Sequence, residues 1–514
     1  MSKTYDFVIA GAGIAALSTA RYLSRLVPTA TIALVTPHAP MSQTSSLSTE
    51  CFRDHWPSPT MRSFMGRSIE LIEEHSSNNS FRVTPFGYLY CSKQAGSAKA
   101  YESEARECHG KNVRLISSPE GVAPYSSSSP RAKGADVYTT SAASLAAFPY
   151  LSSDVTALMH TRNCGWLSAQ TMGMDMLDSL LARESPSGDG SPLTTLFKGH
   201  IVGASSAPGG TRLNSVRVQP LQPASGATLP PITLPCGAFI NATGPFLAST
   251  HRAITGATRG GAWELPVRTE VHSKVIFRDV LGVIPRETPQ VILADSAIPV
   301  WDPLELEFLA DSHGVAVADR ANSLMPPGAH FRPYGGVDSN AVLLLWEAWH
   351  HGISPCEPPP DSAEQYLDKV LYPEVALRGL ARLVPGLRAY FEEGAKEAWL
   401  KSWKGGDMPA LRAPAVDGGY YTKTEENHPL IGPAPGPGGS GKMDNVFVCG
   451  ALSGYGIMAG HGAGELAALH ATGVTGPSLP SYAELMSPLR YQQDSFMRKG
   501  GVRDQLLASG GGQL

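Results

Sequence analysis

The residues with the clearest chemical meaning in this 514-residue chain are three glycine-rich turns, each following a short apolar run. The first is Gly11-Ala12-Gly13-Ile14-Ala15-Ala16, a G-x-G-x-x-A pattern. Its first glycine permits a tight turn, and its second lets backbone N–H groups approach a pyrophosphate at a helix N-terminus. The second turn is Asn241-Ala242-Thr243-Gly244-Pro245. The third, Gly450-Ala451-Leu452-Ser453-Gly454-Tyr455-Gly456, precedes a helical stretch whose N-terminus would aim N–H groups at an anion or an electron-rich ring. One such turn is a weak signal; three in one chain suit a large cofactor lying extended across a domain. One departure matters. The strand after the first helix should end in an acidic residue that holds a ribose hydroxyl, yet here stands Val35-Thr36-Pro37. Thr36, backbone or residues elsewhere must hold that ribose.

The elements needed to position these turns are legible. Tyr5–Ala10 reads as a buried parallel strand, Ile14–Val27 as a helix closed by Pro28, and Thr31–Val35 as a second strand, together a βαβ unit. Helices are expected over 61–75, 97–107, 171–184 and 362–383, and a strand pair over 81–91. A hairpin-rich stretch up to about 235 carries the turns PGG and PASG, and strand-like runs follow over 266–346. The Ser-rich segment 117–135 reads as a polar, mobile loop. Dinucleotide-type elements at both ends and in the middle, with β-rich segments between them, indicate an α/β domain interrupted by an inserted, mostly antiparallel sheet.

Composition excludes several classes. The net charge of −4 argues against a nucleic-acid binder. No window of about 18 apolar residues suggests a membrane span. The 7 cysteines are odd in number, scattered and never spaced as CxxC, which fits neither a disulfide framework nor a metal site. The first strand begins at Tyr5, leaving no signal-peptide pattern, so a reducing, cytoplasmic location is expected.

GAGIAA near the N-terminus, INATGPF in the middle and ENHPLIGP with NVFVCGALSGYGIMAGHGAGELAA near the C-terminus resemble the FAD-dependent D-amino-acid oxidase superfamily, within it the sarcosine oxidase, glycine oxidase and D-arginine dehydrogenase type. The resemblance implies a glutathione-reductase-like (Rossmann-type) FAD domain and a substrate domain whose mixed, mostly antiparallel β-sheet roofs the flavin. The FAD domain would comprise 1–85, 150–250 and 415–514, and the substrate domain 86–149 and 251–414. It also implies oxidation of a C–N bond of an amine or amino acid, with hydride passing to flavin N5. The stretch Thr44-Ser45-Ser46-Leu47-Ser48-Thr49 matches the loop that wraps the flavin. Expected cofactor contacts are therefore Gly11, Gly13, Ile14, Ala15, Ala16, Thr36, Pro37, Thr44, Ser45, Ser46, Leu47, Val202, Ala242, Thr243, Gly244, Gly450 and the run Leu452, Ser453, Gly454, Tyr455, Gly456, Ile457, Met458.

On the substrate side the candidates are His55 in CFRDHW, with Arg53 and Trp56 beside it, His272 in VHSKVIF, His330 and Arg332 in AHFRPYGG, and Tyr421 with Tyr420 in GGYYTKT. An arginine over the flavin would capture a substrate carboxylate bidentately. In the sarcosine oxidase branch a cysteine before a YTKT-like segment tethers the flavin; Gly419 stands at that place, so non-covalent FAD is expected, with His38 as the other residue able to tether. In the same branch a strand lysine promotes reaction with oxygen. The matching strand, Ala341–Trp346, offers Leu344, and no lysine lies between Lys274 and Lys369. An electron acceptor other than oxygen is thus expected, unless Lys274 or a protonated histidine supplies the charge. The competing readings are a non-catalytic flavoprotein acting as an assembly or scaffold factor, and a plain NAD dehydrogenase, which the C-terminal motif disfavours.

Overall fold

The computed structural model describes residues 3–126, 133–207, 210–222, 229–256, 263–297, 300–301, 303–322, 327–336, 338–353, 362–369, 371–390 and 416–508. Parts of the Ser-rich loop and of the PGG turn, and the whole PASG turn, lie outside the described residues. So does 391–415, the end of the segment expected for the substrate domain.

β1 (Tyr5–Ala10), buried except for Asp6, stands in the middle of a seven-stranded sheet. It pairs in parallel with β2 (Ile32–Thr36) and with β12 (Ile232–Asn241). β2 pairs in parallel with β10 (Thr194–Ser206), and β12 with β19 (Lys442–Gly450). β18 (Leu430–Pro435) runs antiparallel to β19, and β11 (Leu213–Pro220) runs antiparallel to both β10 and β12. The parallel strands are apolar on both faces because helices cover one side and a second apolar cluster the other. α1 (Ile14–Leu26) packs along the helix Gly456–Ala471, whose glycines let the two backbones approach. A Cβ on Gly464 would stand 2.5 Å from the Ser18 backbone.

A nine-stranded sheet has the order β17 (Val416–Lys423), β13 (Arg268–Arg278), β16 (Ala341–Ile353), β15 (Ala329–Pro333), β14 (Gln290–Leu293), β5 (Tyr88–Ser92), β8 (Ala157–Thr161), β7 (Ala135–Tyr138), β6 (Val113–Ile116). All neighbours pair antiparallel except β14 with β5 and β7 with β6. Two of these strands lie across the divisions expected from sequence: β8 falls within 150–250 and β17 within 415–514. A small third sheet joins β3 (Cys51–Arg53), β9 (Cys164–Leu167) and β4 (Val83–Thr84). The strand pair expected over 81–91 is corrected here. β4 and β5 enter different sheets, because Gly87, at φ +88° and with Thr161 and His160 packed against it, turns the chain between them.

Alternation along the large sheet decides which residues face the site. Leu89, Val275, Val291, Phe331 and Leu344 point into the helix-covered core. Their neighbours Tyr88, Tyr90, Gln290, Ile292 and His330 line a cavity on the other face.

Candidate active site

An elongated cavity of about 600 Å³ runs over the C-terminal ends of β1, β2, β12 and β19, within the range of cofactor pockets. Gly11 forms its floor at φ +112°, and a Cβ there would lie 2.4 Å from the Ala242 carbonyl oxygen. Gly13 is the N-cap of α1 and supplies no capping side chain, so the helix start is presented to the cavity. Ser45 reaches over from the following loop, its Oγ accepting from Ile14 N at 3.1 Å. The third glycine turn carries strain: Ala451 and Ser453 adopt φ of 54° and 46°. Ser453 N donates to the Thr422 carbonyl at 2.9 Å, tying this turn to β17.

A second cavity of about 420 Å³ lies between the nine-stranded sheet, α3 (Ser97–His109) and the loop after β19. The two cavities share Tyr421 and Gly454. A Cβ on Gly454 would meet the Tyr421 ring at 2.4 Å, and that ring is backed by His272, stacked at 3.9 Å. The wall of the second cavity holds Arg53, Tyr88, Tyr90, Tyr101, Glu104 and Asp295. Arg53 is buried, donates to the Tyr90 hydroxyl at 3.2 Å, and lies 4.2 Å over the Trp56 ring. Among the described residues it forms no ion pair.

The first cavity gathers most of the expected cofactor set: Gly11, Gly13, Ile14, Ala15, Thr36, Pro37, Thr44, Ser45, Ala242, Thr243, Gly244, Gly450, Leu452, Ser453, Gly454, Gly456 and Ile457. The Thr36 hydroxyl is already engaged with the backbone of His38. Tyr455 and Met458 line the second cavity instead. Ala16, Ser46 and Leu47 line neither; Ala16 packs beneath Gly11, and Ser46 turns its hydroxyl to the Gln43 carbonyl. Val202 lines neither cavity. It is 44% exposed, because β10 bulges between Ile201 and Gly203, and Gly199, His200 and Ile201 line the cavity in its stead.

The substrate-side set divides. Tyr421 and His330 line the second cavity, whereas His55, His272 and Arg332 line neither. Arg332 is buried but donates to the Thr49 carbonyl from Nε and Nη2, at 3.1 and 2.7 Å, and so clamps the loop before β3. His272 pairs with Glu270 at 3.1 Å. Burial alone would raise the Glu270 carboxyl, yet hydrogen bonds from His272 and Lys423 bring it down to about 2. Residues absent from the sequence reading are Tyr88, Tyr90, Glu104, Gln290 and Asp295. The alternation Tyr88-Leu89-Tyr90-Cys91 was the available signal for the two tyrosines.

The family described as FAD dependent oxidoreductase matches residues 6–469. The chain belongs to this family. No curated protein matches the chain in sequence. Among solved structures the chain is similar to L-proline dehydrogenase from P. horikoshii at 15% identity, covering 96% of this chain and 99% of the other, with a TM-score of 0.61. It is also similar to glycine oxidase from Geobacillus kaustophilus (15% identity, 93% and 96% covered, TM-score 0.57). Iminodiacetate oxidase from Chelativorans sp. BNC1 is comparable (14% identity, 94% and 98%, TM-score 0.57). At these identities the structural likeness establishes the fold.

Membership implies FAD, and the first cavity fits it. The glycine floor that any side chain would fill, the open helix start and the seryl loop suit a pyrophosphate, while the far end by Tyr421 and Gly454 suits a flat ring. Among the described residues, no helix is long and apolar enough to cross a membrane.

Proposed function

We propose that this chain oxidises the C–N bond of an amino acid or related amine that carries a carboxylate. The observation that carries this reading is Arg53, a buried guanidinium on the wall of the second cavity with no carboxylate paired to it among the described residues. Such a cation is costly unless an anion meets it, and a substrate carboxylate does so bidentately. The Tyr90 hydroxyl and the Trp56 ring hold the guanidinium in place. Tyr421, braced by His272, lines both cavities, so a substrate gripped at Arg53 lies in the cavity that adjoins the first. Bound FAD supplies a hydride acceptor there; the chain supplies binding, orientation and exclusion of water. The likeness to proteins named for proline, glycine and iminodiacetate supports a small amino-acid substrate.

In this reading a glutathione-reductase-like FAD domain, built on the seven-stranded sheet, is interrupted by a substrate domain built on the nine-stranded one. Free cysteines at six described positions support a reducing, cytoplasmic setting. The test is a visible spectrum of the purified protein followed by anaerobic addition of an amino-acid and amine panel. Bleaching of the flavin by a member of the panel supports the proposal. A bound flavin that none of them reduces overturns it in favour of a scaffold role.

The FAD is proposed to be non-covalent. Gly419 has no nucleophile and lies against the wrapping loop, where a Cβ would stand 3.3 Å from the Leu47 Cβ. His38 lines the first cavity but stacks on Phe246 at 5.8 Å between centroids. Acid precipitation should leave a yellow supernatant; a yellow pellet would refute the non-covalent link.

An acceptor other than oxygen is proposed as well. Leu344 faces the helix-covered core, which moves the site-facing register of β16 to its leucine neighbours Leu343 and Leu345. The nearby cation is Lys274 on β13, opposite Leu345. Its Nζ donates to the carbonyls of Leu47 and Ser48 at 2.6 and 3.1 Å, and it lines neither cavity. Burial pulls its pKa down, against the opposing pull of Asp417. An ammonium engaged in this way holds the loop rather than stabilising superoxide. Stopped-flow mixing of reduced protein with oxygenated buffer should show slow reoxidation, unchanged in Lys274→Met. Fast reoxidation that Lys274→Met slows by 10-fold or more would contradict it.

A further inference from the structure

Glu104 lines the second cavity from α3 and also ends a hydrogen-bonded chain leading away from it. His55 Nε2 lies 2.9 Å from Glu104 Oε1, and its Nδ1 lies 3.1 Å from His109 Nε2. The two imidazoles are stacked, 21° apart, with 5.3 Å between centroids. His55 is fully buried, so both of its nitrogens depend on these partners. The carboxylate fixes the tautomer: Nε2–H donates to Glu104, and Nδ1 accepts from His109 Nε2–H. Burial, aided by the nearby His55, holds His109 down to about 4, so His109 is neutral around pH 7.

The other carboxylate at this wall has hydrogen-bond partners on both oxygens. Asp295 Oδ2 accepts from Ser92 and Ser97 at 2.5 and 2.9 Å, and its Oδ1 accepts from Ser296 at 2.9 Å. Arg53 is committed by its charge to a carboxylate, and Tyr90, which it contacts, lies 5.5 Å from the His55 ring. Tyr90, Tyr101 and Cys108 are the remaining titratable groups that feel Glu104, and burial raises all three. Glu104 is therefore the group placed to meet an ammonium while Arg53 meets the carboxylate of the same molecule.

Building on the amine-oxidation reading, we propose that Glu104 accepts the proton that the substrate ammonium must lose before the adjacent carbon gives up hydride. His55 and His109 are positioning residues that aim its carboxylate. The ammonium N–H bond breaks, its electron pair stays on nitrogen, and the proton goes to Glu104 Oε2. Bound FAD would take the hydride, two electrons and one hydrogen, from the adjacent carbon of the neutral amine, which would depart as the iminium. Glu104, with its side chain 28% exposed, returns the proton to water.

The test uses the FAD-loaded full chain, with proline, glycine, N-methylglycine and iminodiacetate as probes under anaerobic conditions. With the fastest probe, the limiting rate of flavin reduction should rise with pH to a plateau. Glu104→Gln should retain FAD, lower the rate by about 100-fold or more and remove the low-pH limb. His109→Ala should shift that limb, and His109→Gln, which keeps an N–H donor, should restore it. Independently of turnover, binding of the probe should produce a protonated-carboxyl infrared band that Glu104→Gln lacks. Unchanged rate and pH profile in Glu104→Gln, or the same infrared band, would overturn the proposal while leaving amine oxidation standing. Failure of every probe and amine to reduce the wild-type flavin would remove the underlying reading, and this inference with it.

Discussion

Replacing Gly11 with valine should give a folded protein that no longer holds FAD. The residue sits at φ +112°, a region that a β-branched side chain avoids, and its Cβ would stand 2.4 Å from the Ala242 carbonyl oxygen. That oxygen is backbone at the end of β12, so relief requires the β1 and β12 turns to move apart. Both turns border the first cavity, and the displacement falls where the pyrophosphate must approach the helix start. A loss of about 3 kcal/mol or more in cofactor affinity, at least 100-fold in Kd, is the expected size. Fluorescence titration with FAD, alongside a thermal melt of the apoprotein, separates lost binding from lost folding. Near-normal FAD affinity in Gly11→Val would count against the cofactor site described.

Arg53→Met should leave FAD content intact and abolish most turnover of amino acids. Methionine keeps the apolar stem against Trp56 but removes the fork that would bind the carboxylate. Two charge-assisted hydrogen bonds lost, at about 1.5–3 kcal/mol each, predict a fall in kcat/KM of at least about 100-fold. Arg53→Lys keeps the charge without the fork and should fall between. Amines without a carboxylate should be little affected by either change. Equal losses for amines with and without a carboxylate would show that Arg53 supports the cavity rather than recognising the substrate.

The lining of the first cavity was legible because it is written in local sequence. A glycine at positive φ, a helix opening directly after it and a neighbouring strand end are features of a few consecutive residues, and Gly11, Gly13, Ser45, Gly244 and Gly454 could be placed from them. The substrate half depends on which face of a strand points where, and that is set by pairing across long distances. Arg53 and His55 are two residues apart in CFRDHW, yet only Arg53 lines the cavity, because the chain leaves β3 between them. Arg332 lies on the cavity-side face of its strand, but the Thr49 carbonyl claims its guanidinium first. Val202 stands at a single-residue bulge, which no pattern of apolar residues announces. Glu104 sits on an exposed-looking helix of charged residues, and only the path of β3 brings His55 and the cavity to it.

In the proposed reaction a carbon–hydrogen bond next to the substrate nitrogen breaks while the substrate is held in the second cavity. Anaerobic stopped-flow reduction of the FAD-loaded protein by proline or glycine, protiated or deuterated at the α-carbon, tests it most directly. Bleaching of the flavin in a single turnover, slower with the deuterated substrate and matched by formation of imine or its hydrolysis product, is the predicted result. A flavin that stays oxidised through the whole panel of amino acids and amines would contradict the account.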